Sequence, residues 1–362
     1  MNALSERIAA MADREGPVDI ARYMALCLYD PAHGAYAARN PVGEAGDFVT
    51  APEISQTFGE MCGLWVVQSW HNLGRPARPR LVELGPGRGT LMRDGLRAIG
   101  AAAKKFFVDA EVVLVERSPA LAALQREALK DAPVSVRWVE SFDKIAPDRP
   151  LFLVANEFFD CLPIRQYVKA AQGWAEKMVT AKDGALSFAL AAAPGLAAVL
   201  PPAYAEAPEG AVYESSPAAA AIIEDVARML AAKGGAALVF DYGYDRPSFA
   251  GTLQAVRRHE KVDVLAAPGD SDLSAHVDFA ALKAAAKRAG AAAFGPKEQG
   301  DLLISLGIEV RAQRLMLANP KAAPAIAAAV KRLVADDQMG ILFKALALTA
   351  PGAPVPPGFE PC

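Results

Sequence analysis

Cysteine is scarce in this chain, with four in 362 residues, at positions 27, 62, 161 and 362. None stands at C-x-x-C spacing from another, so neither a zinc ligand set nor a disulfide framework is indicated, no metal site is expected, and a reducing compartment fits. A basic surplus is missing as well. A net charge of −3 and a pI of about 5.9 argue against a broad footprint for nucleic acid or an anionic membrane. No apolar run reaches the ~18 residues that a membrane-spanning helix needs. The opening stretch "MNALSERIAAMADREGP" mixes charges into a short helical pattern, without the continuous apolar core of a signal peptide. A cytoplasmic protein of bacterial type is the expectation. What is present is ordinary globular material: 53% hydrophobic and 22% charged residues can bury a sizeable core.

The apolar runs are short and alternate with helical patterns. "RLVELG" is strand-like and "TLMRDGLRAI" helical; "EVVLVE" is strand-like and "PALAALQREALK" helical; "VSVRW" and "PLFLVANE" read as further strands. Such alternation predicts an α/β fold with a mostly parallel sheet covered on both faces, which binds ligands at the carboxyl ends of its strands. Before it, residues 1–78 read as a helical N-terminal extension or lid, closed by the breaker "RPARP". Within the main domain, 79–350, insertions are expected near 164–210, where "QG" and "DG" signal turns between strands, and near 245–275. A Pro-rich tail, 351–362, reads as loosely attached.

The stretch "LVELGPGRGT" carries the first chemical signal. The glycines at 85, 87 and 89 follow a strand, where they let the backbone turn sharply and approach a ligand. The spacing is not the G-x-G-x-x-G of dinucleotide sites, since position 90 is Thr. With Glu83 ahead of them the pattern is E-x-G-x-G-x-G, that of class I S-adenosylmethionine methyltransferases, whose cofactor carries a cationic amino-acid part rather than a pyrophosphate. Glu116, ending the next strand, suits the ribose hydroxyls. The cofactor set is therefore Glu83, Gly85, Gly87, Gly89 and Glu116. Asn156, near the start of "VANEFFDCLPIRQY", joins it through its amide, which can equally bond the substrate. Asp47, Thr50 and Pro52 join it from the loop "GDFVTAPEISQTFGE", which can equally be a helix entry capped by Thr50 or Ser55. Glu157 and Asp160, beside Phe158 and Phe159, offer carboxylates at a strand end where a substrate pocket belongs. His276 before a helix is a third catalytic candidate, although a lone histidine is more often structural. The stretch "AVRRHEK" reads as a solvated strand face.

The segments "YDPAHGAYAARNPVGEAGDFVTAPEISQTFGEMCGLW", "VELGPGRGTLMRD", "ANEFFDCLPIRQ", "DYGY", "TLQAVRRH", "LSAHVDF" and "QGDLLISLGI" together resemble the MidA family over about residues 18–346. The resemblance implies a class I methyltransferase fold with a helical N-terminal part and an inserted subdomain, with S-adenosylmethionine as donor and S-adenosylhomocysteine as product. It implies protein arginine methylation, in that family the symmetric dimethylation of an arginine of a core subunit during assembly of respiratory complex I. The acceptor would then be a protein, with Glu157 and Asp160 gripping the guanidinium. Ser274 departs from the family's commoner Thr at that position. Two other classes remain open: a small-molecule methyltransferase on the same fold, and a non-catalytic assembly chaperone that keeps the cofactor pocket.

Overall fold

A computed structural model describes residues 2–38 and 49–360. The chain divides into two compact units. The larger comprises residues 49–158, 220–243 and 279–362; the smaller comprises 1–48, 159–219 and 244–278.

The larger unit is built on seven strands: β1 (Arg80–Leu84), β2 (Glu111–Val115), β3 (Val136–Val139), β4 (Leu151–Asn156), β5 (Gly235–Tyr244), β6 (Ala292–Glu298) and β7 (Phe343–Thr349). Their spatial order is β3-β2-β1-β4-β5-β7-β6. The first five run parallel, and β7 lies antiparallel between β5 and β6. β1, β4 and most of β5 are buried on both faces, as their unbroken apolar runs require. The reversal of strand order beside β1 places a crevice at the carboxyl ends of β1 and β4. This is the doubly wound α/β arrangement that the sequence predicts.

Helix Gln56–Asn72 belongs to this unit rather than to a separate extension. Phe58, Met61, Trp65 and Trp70 lie in the core of the sheet, so residues 49–78 cannot be detached from it. The helix crosses Thr90–Ala102 so closely that a Cβ on Gly63 would sit 2.5 Å from the carbonyl oxygen of Gly95. The C-terminal tail is also held, against expectation. The Pro357 carbonyl accepts from Trp65 Nε1 at 3.1 Å, the Gly358 carbonyl accepts from Lys297 Nζ at 2.9 Å, and Phe359 packs on the core. Backbone acceptors and one aromatic ring outweigh the Pro-rich composition there.

The smaller unit pairs helices with antiparallel strands. Helix Ala3–Glu15 is capped by the Asn2 side chain, which accepts from Ser5 N, and helix Ile20–Tyr29 by Asp19, which accepts from Arg22 N. Strands Arg165–Ala170, Gly173–Lys182, Ala185–Ala192 and Val212–Ser215 form its main sheet. The expected "DG" turn is present, with Asp183 and Gly184 at φ of 52° and 77°, as a two-residue hairpin of the primed kind demands. The expected excursion forms a three-stranded sheet, Gln254–Arg257, Glu260–Val262 and Asp272–Ser274. "AVRRHEK" is therefore a hairpin, with Arg258 and His259 at the turn, both at positive φ. Among the described residues, no helix is long and apolar enough to cross a membrane.

Candidate active site

The register of the central strands gathers most of the expected residues. Leu84 pairs with Ala155, and Asn156 with Phe240, so β1 and β4 end at one level beside Phe240 of β5. Glu83 therefore lies one residue inside the strand tip, Gly85 just beyond it, and Asn156 and Glu157 beside them. The chain leaves β1 through Gly85, Gly87 and Gly89, all at positive φ (60°, 55° and 82°), and Gly89 then caps helix Thr90–Ala102. Gly85 is required twice over. Its φ is in the left-handed region, and a Cβ there would lie 2.8 Å from Cδ2 of Phe158. The ring of Phe158 thus rests directly on the first glycine.

Glu83 is buried, and its Oε2 meets no hydrogen-bond donor among the described residues. Burial and then the negative charge of Glu116 push its carboxyl up to about 8, so at neutral pH it holds a proton. Glu116 is raised as well, by burial, against the opposing hydrogen bonds of Ser118 and Gln125. Ser118 N donates to Glu116 Oε1 at 2.7 Å. Gln125 Nε2 donates to Glu116 Oε2 at 3.0 Å and to the Gly87 carbonyl at 2.8 Å. Gln125 Oε1 in turn accepts from Trp138 Nε1 at 2.9 Å. Sequence reasoning missed Gln125. The only signal was a lone amide on the buried face of an otherwise apolar helix, one turn after Leu121 and Ala122.

Asn156 Nδ2 donates to Glu157 Oε1 at 2.9 Å, while Asn156 Oδ1 is buried with no donor among the described residues. Glu157 sits at φ 50° immediately after β4, and its Oε1 also accepts from Ala51 N at 3.1 Å, the first amide of helix Ala51–Ile54. That bond draws the 49–54 segment to the strand tips. Thr50 precedes this helix but its hydroxyl does not cap it; Ser55 caps the next one instead, accepting from Thr57 N at 3.2 Å. Pro52 faces a cavity of about 420 Å³ together with Glu53, Arg88 and Thr90. Thr90 Oγ1 donates to Glu53 there, which ties the segment to the glycine turn. Asp47 lies outside the described residues.

Asp160 and His276 fall in the smaller unit, where they are near each other. The Asp160 carbonyl accepts from Ala275 N at 2.9 Å, and His276 N donates to Thr252 Oγ1 at 2.9 Å. Thr252 also binds Glu214 through its amide and hydroxyl. Burial lowers the His276 imidazole, against the pull of Glu214 and with a smaller push from Lys261. Asp241, the acid of "DYG", is wholly buried and accepts from Tyr242 N at 3.0 Å.

Two buried acceptors without donors, Glu83 Oε2 and Asn156 Oδ1, stand at the strand tips beside a turn that a side chain would block. A ligand bringing a cationic amine and hydroxyls fits this donor-poor, acidic set. A pyrophosphate does not, because the Glu116 carboxylate would repel it.

The comparisons with known proteins agree. A profile of a family of S-adenosyl-L-methionine-dependent methyltransferases matches residues 61–297. The chain belongs to this methyltransferase family. It is 36% identical over 325 residues to human protein arginine methyltransferase NDUFAF7, mitochondrial, covering 83% of this chain and 72% of that one. The Caenorhabditis elegans homolog of that protein is 35% identical over 360 residues, covering 92% and 83%. Among solved structures, a relative from Burkholderia thailandensis bound to S-adenosyl-homocysteine superposes with a TM-score of 0.84 at 31% identity, covering 99% of this chain and 93% of that one. This is an S-adenosylmethionine-dependent methyltransferase of class I architecture, and S-adenosylmethionine is its cofactor.

Proposed function

We propose that the acceptor is a protein arginine, and that Glu83, Gly85, Gly87, Gly89, Glu116 and Asn156 hold the cofactor while Glu157 orients the guanidinium. When bound, S-adenosylmethionine supplies a methyl group on a sulfonium, a good leaving group for in-line displacement. The chain's task is then positioning. Asn156 offers a buried acceptor for the amino-acid part, Glu83 becomes a second one on giving up its proton, and Glu116 presents its carboxylate to the ribose. A guanidinium stays protonated in water, so its attacking nitrogen must be aligned and its plane fixed. A carboxylate does this through bidentate hydrogen bonds that draw positive charge toward the far nitrogens. The observation that carries the assignment is the carboxylate of Glu157, pinned through one oxygen by Ala51 N and Asn156 Nδ2 at the strand tip. Asp160 is proposed as a second carboxylate and His276 as the group that takes the departing proton. The arginine acceptor is further supported by the names of the relatives, which are protein arginine methyltransferases.

Within the same proposal the target is a core subunit of respiratory complex I, modified to symmetric dimethylarginine, and the setting is a reducing cytoplasm, in keeping with free thiols at Cys27 and Cys62. The test is incubation of the protein with methyl-labelled S-adenosylmethionine and cell extract, followed by acid hydrolysis of the protein fraction. Label should appear as methylarginine with the wild type, and not with Glu157→Gln. Label confined to low-mass products would overturn the arginine reading in favour of a small-molecule acceptor.

A further inference from the structure

Gln125 is a wholly buried amide in helix Pro119–Ala128, and both ends of its side-chain amide are hydrogen-bonded. Its orientation is not ambiguous. The indole Nε1 of Trp138 can only donate, so the amide oxygen must face it, at 2.9 Å. The amide nitrogen is thereby committed to the opposite side, where it meets two acceptors, the Gly87 carbonyl at 2.8 Å and Glu116 Oε2 at 3.0 Å. Those two acceptors belong to separate loops, one following β1 and the other following β2. Trp138 is itself steadied from β3, with the Arg126 guanidinium over its ring at 4.9 Å from the centroid. Three consecutive strand ends are tied through one amide.

We propose that Gln125, oriented by Trp138, is a positioning residue that sets the distance between the glycine turn and the Glu116 carboxylate and so fixes the geometry in which the cofactor's ribose hydroxyls are received. With the Ser118 amide on Oε1 and the Gln125 amide on Oε2, each oxygen of Glu116 has at least one donor already in place. The remaining lone pairs are then aimed rather than free to rotate. A carboxylate so held receives two vicinal hydroxyls with little ordering cost, whereas an unrestrained one must be ordered at the moment of binding. This inference rests on the reading of Glu116 as the ribose acid.

The experiment compares affinities for S-adenosylhomocysteine and its 2′-deoxyribose analogue by calorimetry, in the full chain. The wild type should prefer the natural ligand by about tenfold or more, the usual worth of a charged hydrogen bond. In Gln125→Leu the preference should fall to within about threefold, because the carboxylate is no longer aimed. Trp138→Phe, which frees the amide to rotate, should give an intermediate ratio and guards against a Gln125 variant that fails to fold. General damage to the site would weaken both ligands equally and leave the ratio unchanged. A wild-type ratio near one overturns the ribose assignment of Glu116 and this inference with it. A wild-type ratio that survives intact in folded Gln125→Leu, or in Trp138→Phe, overturns the positioning role of Gln125 alone.

Discussion

Replacing Glu83 with Gln should stabilise the protein at alkaline pH while removing its affinity for the cofactor. Glu83 is buried in β1, facing the charge of Glu116 and the buried thiol of Cys62, and its carboxyl is pushed from an ordinary 4.5 up to about 8. An acid whose folded pKa lies above its unfolded value favours the folded state fully below the unfolded pKa. It loses that advantage as pH rises through the folded one. The window here is therefore about pH 4.5 to 8. At ~1.4 kcal/mol per pH unit, ionising Glu83 in place costs on the order of 5 kcal/mol by the top of that window. Gln carries no such term at any pH. Denaturation of both proteins, without added ligand, from pH 5 to pH 9 should show the variant gaining on the wild type steadily up to about pH 8 and levelling beyond it. S-adenosylhomocysteine should then raise the stability of the wild type and leave Glu83→Gln unmoved. A stability difference that stays flat over this pH range would refute the claim that Glu83 is a buried, protonated acid.

The same chemistry gives a second readout. At pH 7 the amine of S-adenosylhomocysteine should meet Glu83 in its ionised form, so binding should release close to one proton, seen as a dependence of calorimetric enthalpy on buffer, and Glu83→Gln should release none. Gly85→Ala puts a Cβ 2.8 Å from Phe158 at a φ of 60°, and the backbone strain alone is worth about 1–2 kcal/mol. Thermal denaturation should show that loss, and S-adenosylhomocysteine affinity should fall with it as the Phe158 ring is displaced. An unchanged affinity would mean that the ring does not border the ligand.

Much of the geometry of the candidate site was legible in the sequence because it is local. The alternation of short apolar runs and helices determines a doubly wound sheet. The strand-glycine junction at 84–89 determines where a ligand approaches, since only glycine meets those φ values without strain at the close approach to Phe158. The acids at 83 and 116 end adjacent strands, so their convergence follows from parallel register alone. The "DG" hairpin was likewise decided by two neighbouring residues.

Tertiary structure decided what depends on residues far apart in the chain. Helix Gln56–Asn72 joined the sheet because Phe58 packs on the ring of Phe240 and Trp70 on that of Phe106, partners that periodicity does not reveal. The tail was fixed for the same reason, by the indole of Trp65. The engagement of Glu157 by the amide of Ala51 spans 106 positions, and nothing in the composition of either segment points to it. Gln125 is the sharpest case. Its helix reads as an ordinary amphipathic one, and only the folding of β1, β2 and β3 side by side brings a carbonyl, a carboxylate and an indole within reach of one amide. Sequence determines what a segment prefers by itself, whereas a buried polar group acquires its partners, and so its role, only when the packed sheet removes water as the alternative.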